Sequence, residues 1–308
     1  MSANNHTINN RPPTSDSQMD SRVINAPSDD DVPAWIREQG GKEKEAKETI
    51  GWYVAKHLIS FGAFLLIGPG TTLITAMKQL IKIQELIGSP QDLEILTTNL
   101  EIVELGNRAR LDKYRLFEGL RITLAGGLVS PSMNCLVGDT AATSISARNI
   151  NPGVVLFGVH GLCFDDGDIS LIYRYSDELS IQKAYAVRPT RQRVIVCDAT
   201  KIGRRIGYAI DVSVETLLAE ADECIIITSR PRDPETSRRF ERQTAAFRNL
   251  LTKLHQSDRF TGKNLALRVL NQQGGVHIEY SLAGLRDMKG TWPAVNEVSD
   301  TAYVATKI

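Results

Sequence analysis

The stretch AFLLIGPGTT, which runs from Ala63 to Thr72, decides the fold class of this 308-residue chain. Its first five residues form a continuous apolar run, which is typical of a strand buried on both faces of a parallel sheet. Two glycines and a proline interrupt the run, and apolar residues then recur at helical spacing from Leu73 to Ile87. The stretch therefore predicts a strand, a tight turn and a helix.

Outward from this stretch, short apolar runs alternate with helical patterns as far as residue 228. The further predicted strands are 93–99, 121–125, 154–159, 193–197 and 224–228. The predicted helices among them are 102–110, 140–148 and 179–186. Strands that lack inside–outside alternation and are separated by helices indicate an α/β fold, with a mostly parallel sheet and helices on both faces.

The N-terminal part of the chain differs in composition from the rest. Residues 1–30 are rich in Asn, Ser, Asp and Pro and hold scarcely any apolar side chain. We therefore expect residues 1–40 to form a disordered polar tail. The segment 41–231 is predicted to be one folded domain, which opens with the charged run 42–48. That run is interpreted as the solvated face of a helix.

The C-terminal segment, residues 232–308, is predicted to be an appended α+β element. An apolar stripe predicts a helix over 236–255, and alternating patterns at 265–269 and 276–282 flank a glycine-containing turn and predict a hairpin. A last strand is predicted over 301–308. The arginines on or near the predicted helix are interpreted as a solvated face rather than a DNA-binding surface; they are Arg238, Arg239, Arg242 and Arg248.

Charge and composition exclude several classes of protein. The chain has 36 basic and 36 acidic side chains, and zero net charge argues against a protein that coats nucleic acid or an anionic membrane. The uncharged stretch between Lys56 and Lys78 is long enough to cross a membrane. Glycine and proline at its centre instead favour a helix end, a strand and a new helix. The first 18 residues hold no targeting signal, so a cytoplasmic protein is expected.

The cysteines lie in apolar surroundings and never in a C-x-x-C spacing. They are interpreted as buried thiols rather than as zinc ligands or disulfides. The sequence predicts no metal and no cofactor. The cysteines are Cys135, Cys163, Cys197 and Cys224.

Several polar residues are predicted to lie at the carboxyl ends of the strands, where parallel α/β sheets bind ligands. Gly70, Thr71 and Thr72 follow the first strand, so their N–H groups and hydroxyls can hold a phosphate. The alternative is an ordinary turn with a threonine helix cap. Lys201 lies just beyond another strand, and Lys183 lies on the helix before it. Each lysine can meet a phosphate or a carboxylate, or can simply be solvated.

Short motifs that match one family occur in that family's order between residues 50 and 229. They are Gly70-Thr71-Thr72, Thr97-Thr98-Asn99, Leu124-Ala125-Gly126-Gly127, Leu136-Val137-Gly138, Gly158-Val159-His160-Gly161-Leu162, Lys183, and Asp198-Ala199-Thr200-Lys201-Ile202-Gly203. In this order they resemble the C-terminal effector-sensing domain of the DeoR family of bacterial transcriptional repressors. The ordered set carries the resemblance, since each motif alone is weak.

The resemblance implies an α/β fold like that of sugar-phosphate isomerases, sugar-phosphate deaminases and CoA-transferases. It also implies a homo-oligomer that binds a phosphorylated sugar or a related small metabolite at the strand ends. For the histidine of the set, three roles stay open: general acid or base, ligand contact, or structural residue. From the strand ends and the resemblance together, the predicted ligand-binding residues are Gly70, Thr71, Thr72, Asn99, Gly127, His160, Lys183 and Lys201.

The chain departs from the family's pattern in three places. Gly68 and Pro69 stand where the family usually has an aspartate and a serine, and His160 stands in the place of another aspartate. The family's N-terminal winged helix-turn-helix is not recognisable, because residues 1–48 carry six basic and nine acidic side chains without apolar periodicity. We therefore expect no direct DNA binding, and a partner protein would have to contact the DNA.

Two functions remain in competition. The first is a non-catalytic sensor of a phosphorylated sugar or related metabolite, linked to transcriptional regulation without a DNA-binding domain of its own. The alternative is an enzyme like the sugar-phosphate isomerases or deaminases. An aldose–ketose isomerase needs a carboxylate base. His160 occupies the strand end where that carboxylate is sought, so the sensor is favoured.

Overall fold

The computed structural model describes residues 43–147, 151–165 and 167–287. The predicted polar tail 1–40 and the predicted strand 301–308 lie outside the described residues. The structural statements that follow concern the described residues.

The described residues form helices, strands and single 3-10 turns. The helices are α1 (Lys44–His57), α2 (Thr71–Ile87), α3 (Leu100–Asp112), α4 (Asp139–Ser146), α5 (Leu179–Val187), α6 (Val214–Ala219), α7 (Pro234–His255) and α8 (Leu282–Asp287). The strands are β1 (Phe64–Ile67), β2 (Leu93–Thr97), β3 (Leu120–Leu124), β4 (Leu128–Ser130), β5 (Cys135–Val137), β6 (Val154–Gly158), β7 (Gly161–Asp165), β8 (Asp168–Tyr173), β9 (Thr190–Val196), β10 (Tyr208–Ala209), β11 (Ala221–Ser229), β12 (Asn264–Leu270) and β13 (Val276–Ser281). The 3-10 turns are Tyr114–Leu116, Ser176–Glu178, Ala199–Lys201 and Asp258–Phe260.

The central sheet has eight strands in the order β13-β12-β11-β9-β6-β1-β2-β3. All neighbours pair in parallel except β12 and β13, which form an antiparallel hairpin at one edge. The prediction of a mostly parallel α/β sheet is therefore confirmed. From β1 the chain builds outward to β3 on one side, and from β6 it builds outward to β12 on the other. The order thus reverses between β1 and β6, where such sheets bind ligands.

Each face of the sheet is covered by its own hydrophobic core. Leu65 and Ile67 of β1 point into the core shared with α1 and α2, where they join Met77. Leu66 points into the opposite core, which includes Phe157 and the side chains of α4 to α7. Because successive side chains of a strand alternate between faces, burial on both sides requires the continuous apolar run that the sequence shows.

A small antiparallel sheet, β10-β8-β7, adds to the second layer. The sequence patterns did not predict this sheet. The long helix α7 packs on this sheet, and the rings of Phe164 and Phe247 lie 4.8 Å apart. The predicted apolar stripe of α7 is buried, as Phe240, Phe247 and Leu254 show.

Two expectations about the chemistry of the chain are met within the described residues. None of the helices described there is long and apolar enough to cross a membrane. The uncharged stretch between Lys56 and Lys78 instead holds the end of α1, the whole of β1 and the start of α2. All four cysteines are buried free thiols.

Candidate functional site

The loops after β1, β6 and β9 lie side by side at the carboxyl edge of the sheet. Gly68 donates its backbone N–H to the carbonyl of Leu156 at 2.8 Å. A Cβ atom placed on Gly158 would lie 3.8 Å from the Pro69 carbonyl oxygen and 3.7 Å from that of Val196. Gly158 therefore lies between the other two strand ends, and the three loops share one surface at the point where strand order reverses.

The loop after β1 presents the start of α2 at this edge. Gly70 is the N-cap residue of α2 with φ of 134°, a conformation that glycine adopts at no steric cost. Thr71 is exposed and Thr72 is buried. Among the described residues no side chain caps α2. The first N–H groups of the helix thus keep their capacity to bind an anion.

Asn99 has a structural role in the described chain. Its buried side-chain oxygen accepts hydrogen bonds from the N–H groups of Glu101 at 3.0 Å and Ile102 at 3.4 Å, so it caps α3. The preceding residue, Thr98, shares a hydrogen bond of 3.1 Å with the hydroxyl of Tyr185. The predicted contact between Asn99 and a ligand stays a prediction, and the side-chain oxygen is already engaged.

Gly127 packs against α4. Its φ is 140°, and a Cβ atom there would lie 2.8 Å from the Cβ of Ala141 and 2.9 Å from the carbonyl oxygen of Val137. The close approach of α4 therefore requires glycine at this position. Lys183 lies on the exposed side of α5, between the buried residues Gln182 and Ala184. Ligand contacts by Gly127 and Lys183 stay predictions.

Lys201 lies on the turn that follows β9, beside the buried carboxylate of Asp198. Its ammonium nitrogen is 3.7 Å from Oδ2 of Asp198, whose side chain is 3% exposed. Oδ1 of Asp198 accepts hydrogen bonds from the N–H and the hydroxyl of Thr200, which fixes the carboxylate. Lys201 is thus held at the carboxyl edge of the sheet rather than extended into solvent.

Lys47 of α1 forms a cluster with Asp198 and Lys201. Burial lowers the pKa of Lys47; the nearby charge of Lys201 lowers it further, and Asp198 raises it. The sequence analysis interpreted this part of the chain as a solvated helix face, and for Lys47, which is only 7% exposed, that was wrong. The spacing could have predicted the burial of Lys47, because Lys47, Ile50 and Val54 fall at helical steps of three and four on one buried stripe.

His160 is neutral at neutral pH. Burial, together with the nearby charges of Lys201, Arg204 and Arg174, lowers the pKa of its imidazole to about 4. Its Nδ1 accepts a hydrogen bond of 3.1 Å from the backbone N–H of Arg174, which places the proton on Nε2. Nδ1 also lies 3.9 Å from Oε1 of Glu178, but a neutral imidazole makes this a contact and not an ion pair.

Glu178 is the carboxyl group that the sequence analysis missed at this edge. Its pKa is raised to about 7, because burial and the charge of Asp177 outweigh the hydrogen bonds with Tyr175 and Gln182, which lower it. Among the described residues, Oε1 of Glu178 has no hydrogen-bond partner, and the same holds for Tyr173 Oη and Gln182 Oε1. A buried carboxyl group with a raised pKa beside a neutral histidine is an arrangement that functional sites use.

A groove of about 310 Å³ lies elsewhere, between α1 and the turn of the β12–β13 hairpin. Trp52 and Gly274 are among its lining residues, and none of the predicted site residues lines it. In residues 43–147, 151–165 and 167–287, no three His, Cys, Asp or Glu side chains are grouped to hold a metal ion.

A family model described as the DeoR C-terminal sensor domain matches residues 42–215. No curated protein matches the chain.

The solved structures that align with the chain do so at low similarity. Ribose 5-phosphate isomerase from Plasmodium falciparum aligns with 13% identity and a TM-score of 0.33, over 51% of this chain and 52% of that chain. Ribose 5-phosphate isomerase A from Methanocaldococcus jannaschii aligns with 11% identity and a TM-score of 0.36, over 52% of this chain and 55% of that chain. The eIF2B delta chain from Chaetomium thermophilum aligns with 14% identity and a TM-score of 0.35, over 64% of each chain. The chain thus spans about half the length of these isomerases.

Proposed function

Because the chain belongs to the family of DeoR C-terminal sensor domains, we propose that it binds a phosphorylated sugar or a related small metabolite and serves transcriptional regulation. The observation that carries this proposal is the cluster of Lys47, Asp198 and Lys201, which lies at the same edge of the sheet as the uncapped start of α2. Asp198 lies 3.7 Å from the ammonium nitrogen of Lys201, and the charges of both residues act on Lys47, so two ammonium groups are brought to this edge of the sheet.

The phosphate would be bound from two sides. The N–H groups at the start of α2 and the hydroxyls of Thr71 and Thr72 donate from one strand end. Lys201 supplies a point charge from β9, two strands away, a distance of roughly 10 Å that a lysine and a bound phosphate together span. His160 follows the end of β6, which lies between β1 and β9. From there its Nε2–H can donate to a hydroxyl of the ligand.

We assign the contact with DNA to a partner protein, and we expect the chain to act as a homo-oligomer. The acidic excess of residues 1–48 supports the first point, since phosphate contacts dominate affinity for DNA. Leu128 and Val129 support the second, because these apolar side chains of β4 are 73% and 60% exposed in the single chain.

Glu178 favours a second candidate, a sugar-phosphate isomerase-like enzyme. A carboxyl group with a pKa near 7 is suited to move a proton between carbons, and it lies 3.9 Å from His160. Incubation with aldose phosphates, followed by NMR, separates the two candidates. Conversion to the ketose that is lost in Glu178→Gln would establish the enzyme, and binding without conversion would establish the sensor.

We expect a phosphorylated ligand to raise the melting temperature, because a ligand that binds only the native state stabilises it. At a concentration of 100 times Kd the gain is about 2.7 kcal/mol. The measurement is a thermal-shift screen that pairs each sugar or polyol phosphate with its unphosphorylated counterpart. The proposal requires a shift with the phosphorylated member alone. Equal shifts within each pair, or none with any phosphate at millimolar concentration, would contradict it.

A further inference from the structure

The helix α7 lies outside the matched residues 42–215, yet it holds the turn that carries Lys201. Arg239 of α7 donates from Nη2 to the carbonyl oxygen of Thr200 at 2.8 Å and from Nε to that of Ile202 at 3.0 Å. These carbonyls flank Lys201 on both sides. The sequence analysis placed Arg239 on a solvated face, and that interpretation was wrong.

The turn and the arginine fit each other closely. Gly203 has φ of 77°, and a Cβ atom on it would lie 2.7 Å from Cγ of Arg239. Glycine therefore lets the arginine stem pass over the turn. Gly203 also donates its N–H to the carbonyl of Leu162 in β7 at 2.6 Å. The planar guanidinium with its fixed donors suits two diverging carbonyls better than a lysine would.

The residues just before α7 contact the other lysine-bearing element. Arg232 lies 2.8 Å from Glu45 of α1, two residues before Lys47. Both side chains of this pair are about half exposed, so the pair contributes little to stability by itself. It nevertheless shows that residues 232–239 contact both segments of chain that carry the clustered lysines.

We propose that Arg239 is a positioning residue that fixes the turn Ala199–Lys201 from α7 and thereby sets where Lys201 meets the phosphate of the effector. The identity of the bound group rests on the proposed function. The contact of Arg239 with the turn strengthens phosphate binding by Lys201. Because such coupling is reciprocal, bound phosphate strengthens the contact between α7 and the turn.

The first test needs no ligand. Hydrogen exchange of the backbone amides of residues 199–205 is compared among the wild-type chain, Arg239→Met and Arg242→Met. Arg242 is exposed on the same helix and gives a matched control. We expect exchange about tenfold faster in Arg239→Met alone, because the turn loses two hydrogen bonds from a charged donor. Equal exchange in all three proteins would overturn the proposal.

The second test measures affinity for ribose 5-phosphate and for inorganic phosphate in the same proteins. Arg239→Met should weaken binding about tenfold, Arg239→Lys should restore part of it, and Arg242→Met should leave it unchanged. Faster exchange of the turn in Arg239→Met, together with a wild-type chain that binds neither probe, would uphold the positioning role and contradict the proposed function. Wild-type affinity in a folded Arg239→Met would overturn the positioning role. Arg239→Lys gives the same comparison if the methionine variant does not fold.

Discussion

Replacement of Arg193 by methionine is expected to lower the free energy of unfolding by about 2–4 kcal/mol. The side chain is completely buried in β9. It donates to the carbonyl oxygens of Leu217, Arg188 at 2.7 Å and Glu220 at 3.5 Å. Methionine fills a similar volume but leaves these buried acceptors without their donor. Release of the guanidinium from a buried site offsets part of the loss, since burial already lowers its pKa.

Urea denaturation at pH 7 measures the change, with Arg191→Met as the control. Arg191 lies two residues away on the same strand and is exposed, so its replacement should change the free energy of unfolding by less than about 0.5 kcal/mol. Equal stability of the two variants would show that the carbonyls around Arg193 find other donors.

Replacement of Glu178 by glutamine is expected to stabilise the protein increasingly as the pH rises. The folded-state pKa of about 7 lies above the value of 4.5 for a free glutamate. The contribution of this group to stability is therefore fully present below about pH 4.5 and is lost as the pH rises through 7. Glutamine cannot ionise, so the variant avoids this loss. The gain should approach an upper limit of about 3 kcal/mol above pH 7.

His160 acts in the opposite direction. Its folded-state pKa of about 4 lies below 6.5, so its contribution is present above about pH 6.5 and is lost as the pH falls through 4. Between about pH 4.5 and 6.5 the two groups oppose each other in the wild-type chain. Urea denaturation from pH 5 to 8 should therefore show a steeper rise of stability with pH in Glu178→Gln than in the wild type. The exposed Glu118→Gln should follow the wild type, and the same behaviour in Glu178→Gln would refute the prediction.

The parallel sheet was predictable because its strands are buried on both faces. Leu65, Leu66 and Ile67 enter two different cores, and only a continuous apolar run can satisfy both. The small sheet was not predictable in the same way. Its strand β10 is two residues long and β7 begins with Gly161, so their pairing depends on tertiary contacts rather than on local preference.

The candidate site likewise has a part that the sequence predicts and a part that depends on tertiary packing. Parallel strands bring their carboxyl ends to one edge, which is why polar residues after β1, β6 and β9 were predicted to meet. The burial of Lys47 and Glu178 and the contacts of Arg239 depend on which elements pack against them, and sequence patterns assign charged residues to solvent by default. Asn99 matches a family motif, but its position before α3 also suits a helix cap. In the described chain its side chain makes the cap contacts.

Isothermal titration of the wild-type chain and of lysine variants tests most directly whether Lys47 and Lys201 bind the phosphate of a small metabolite at the strand ends. The titrant is the sugar or polyol phosphate that gives the largest thermal shift. Lys47→Met and Lys201→Met should each weaken binding about tenfold or more, since each removes a charged donor. Lys82→Met, which changes an exposed lysine of α2, should bind like the wild type. Wild-type affinity in folded Lys47→Met and Lys201→Met would contradict the claim.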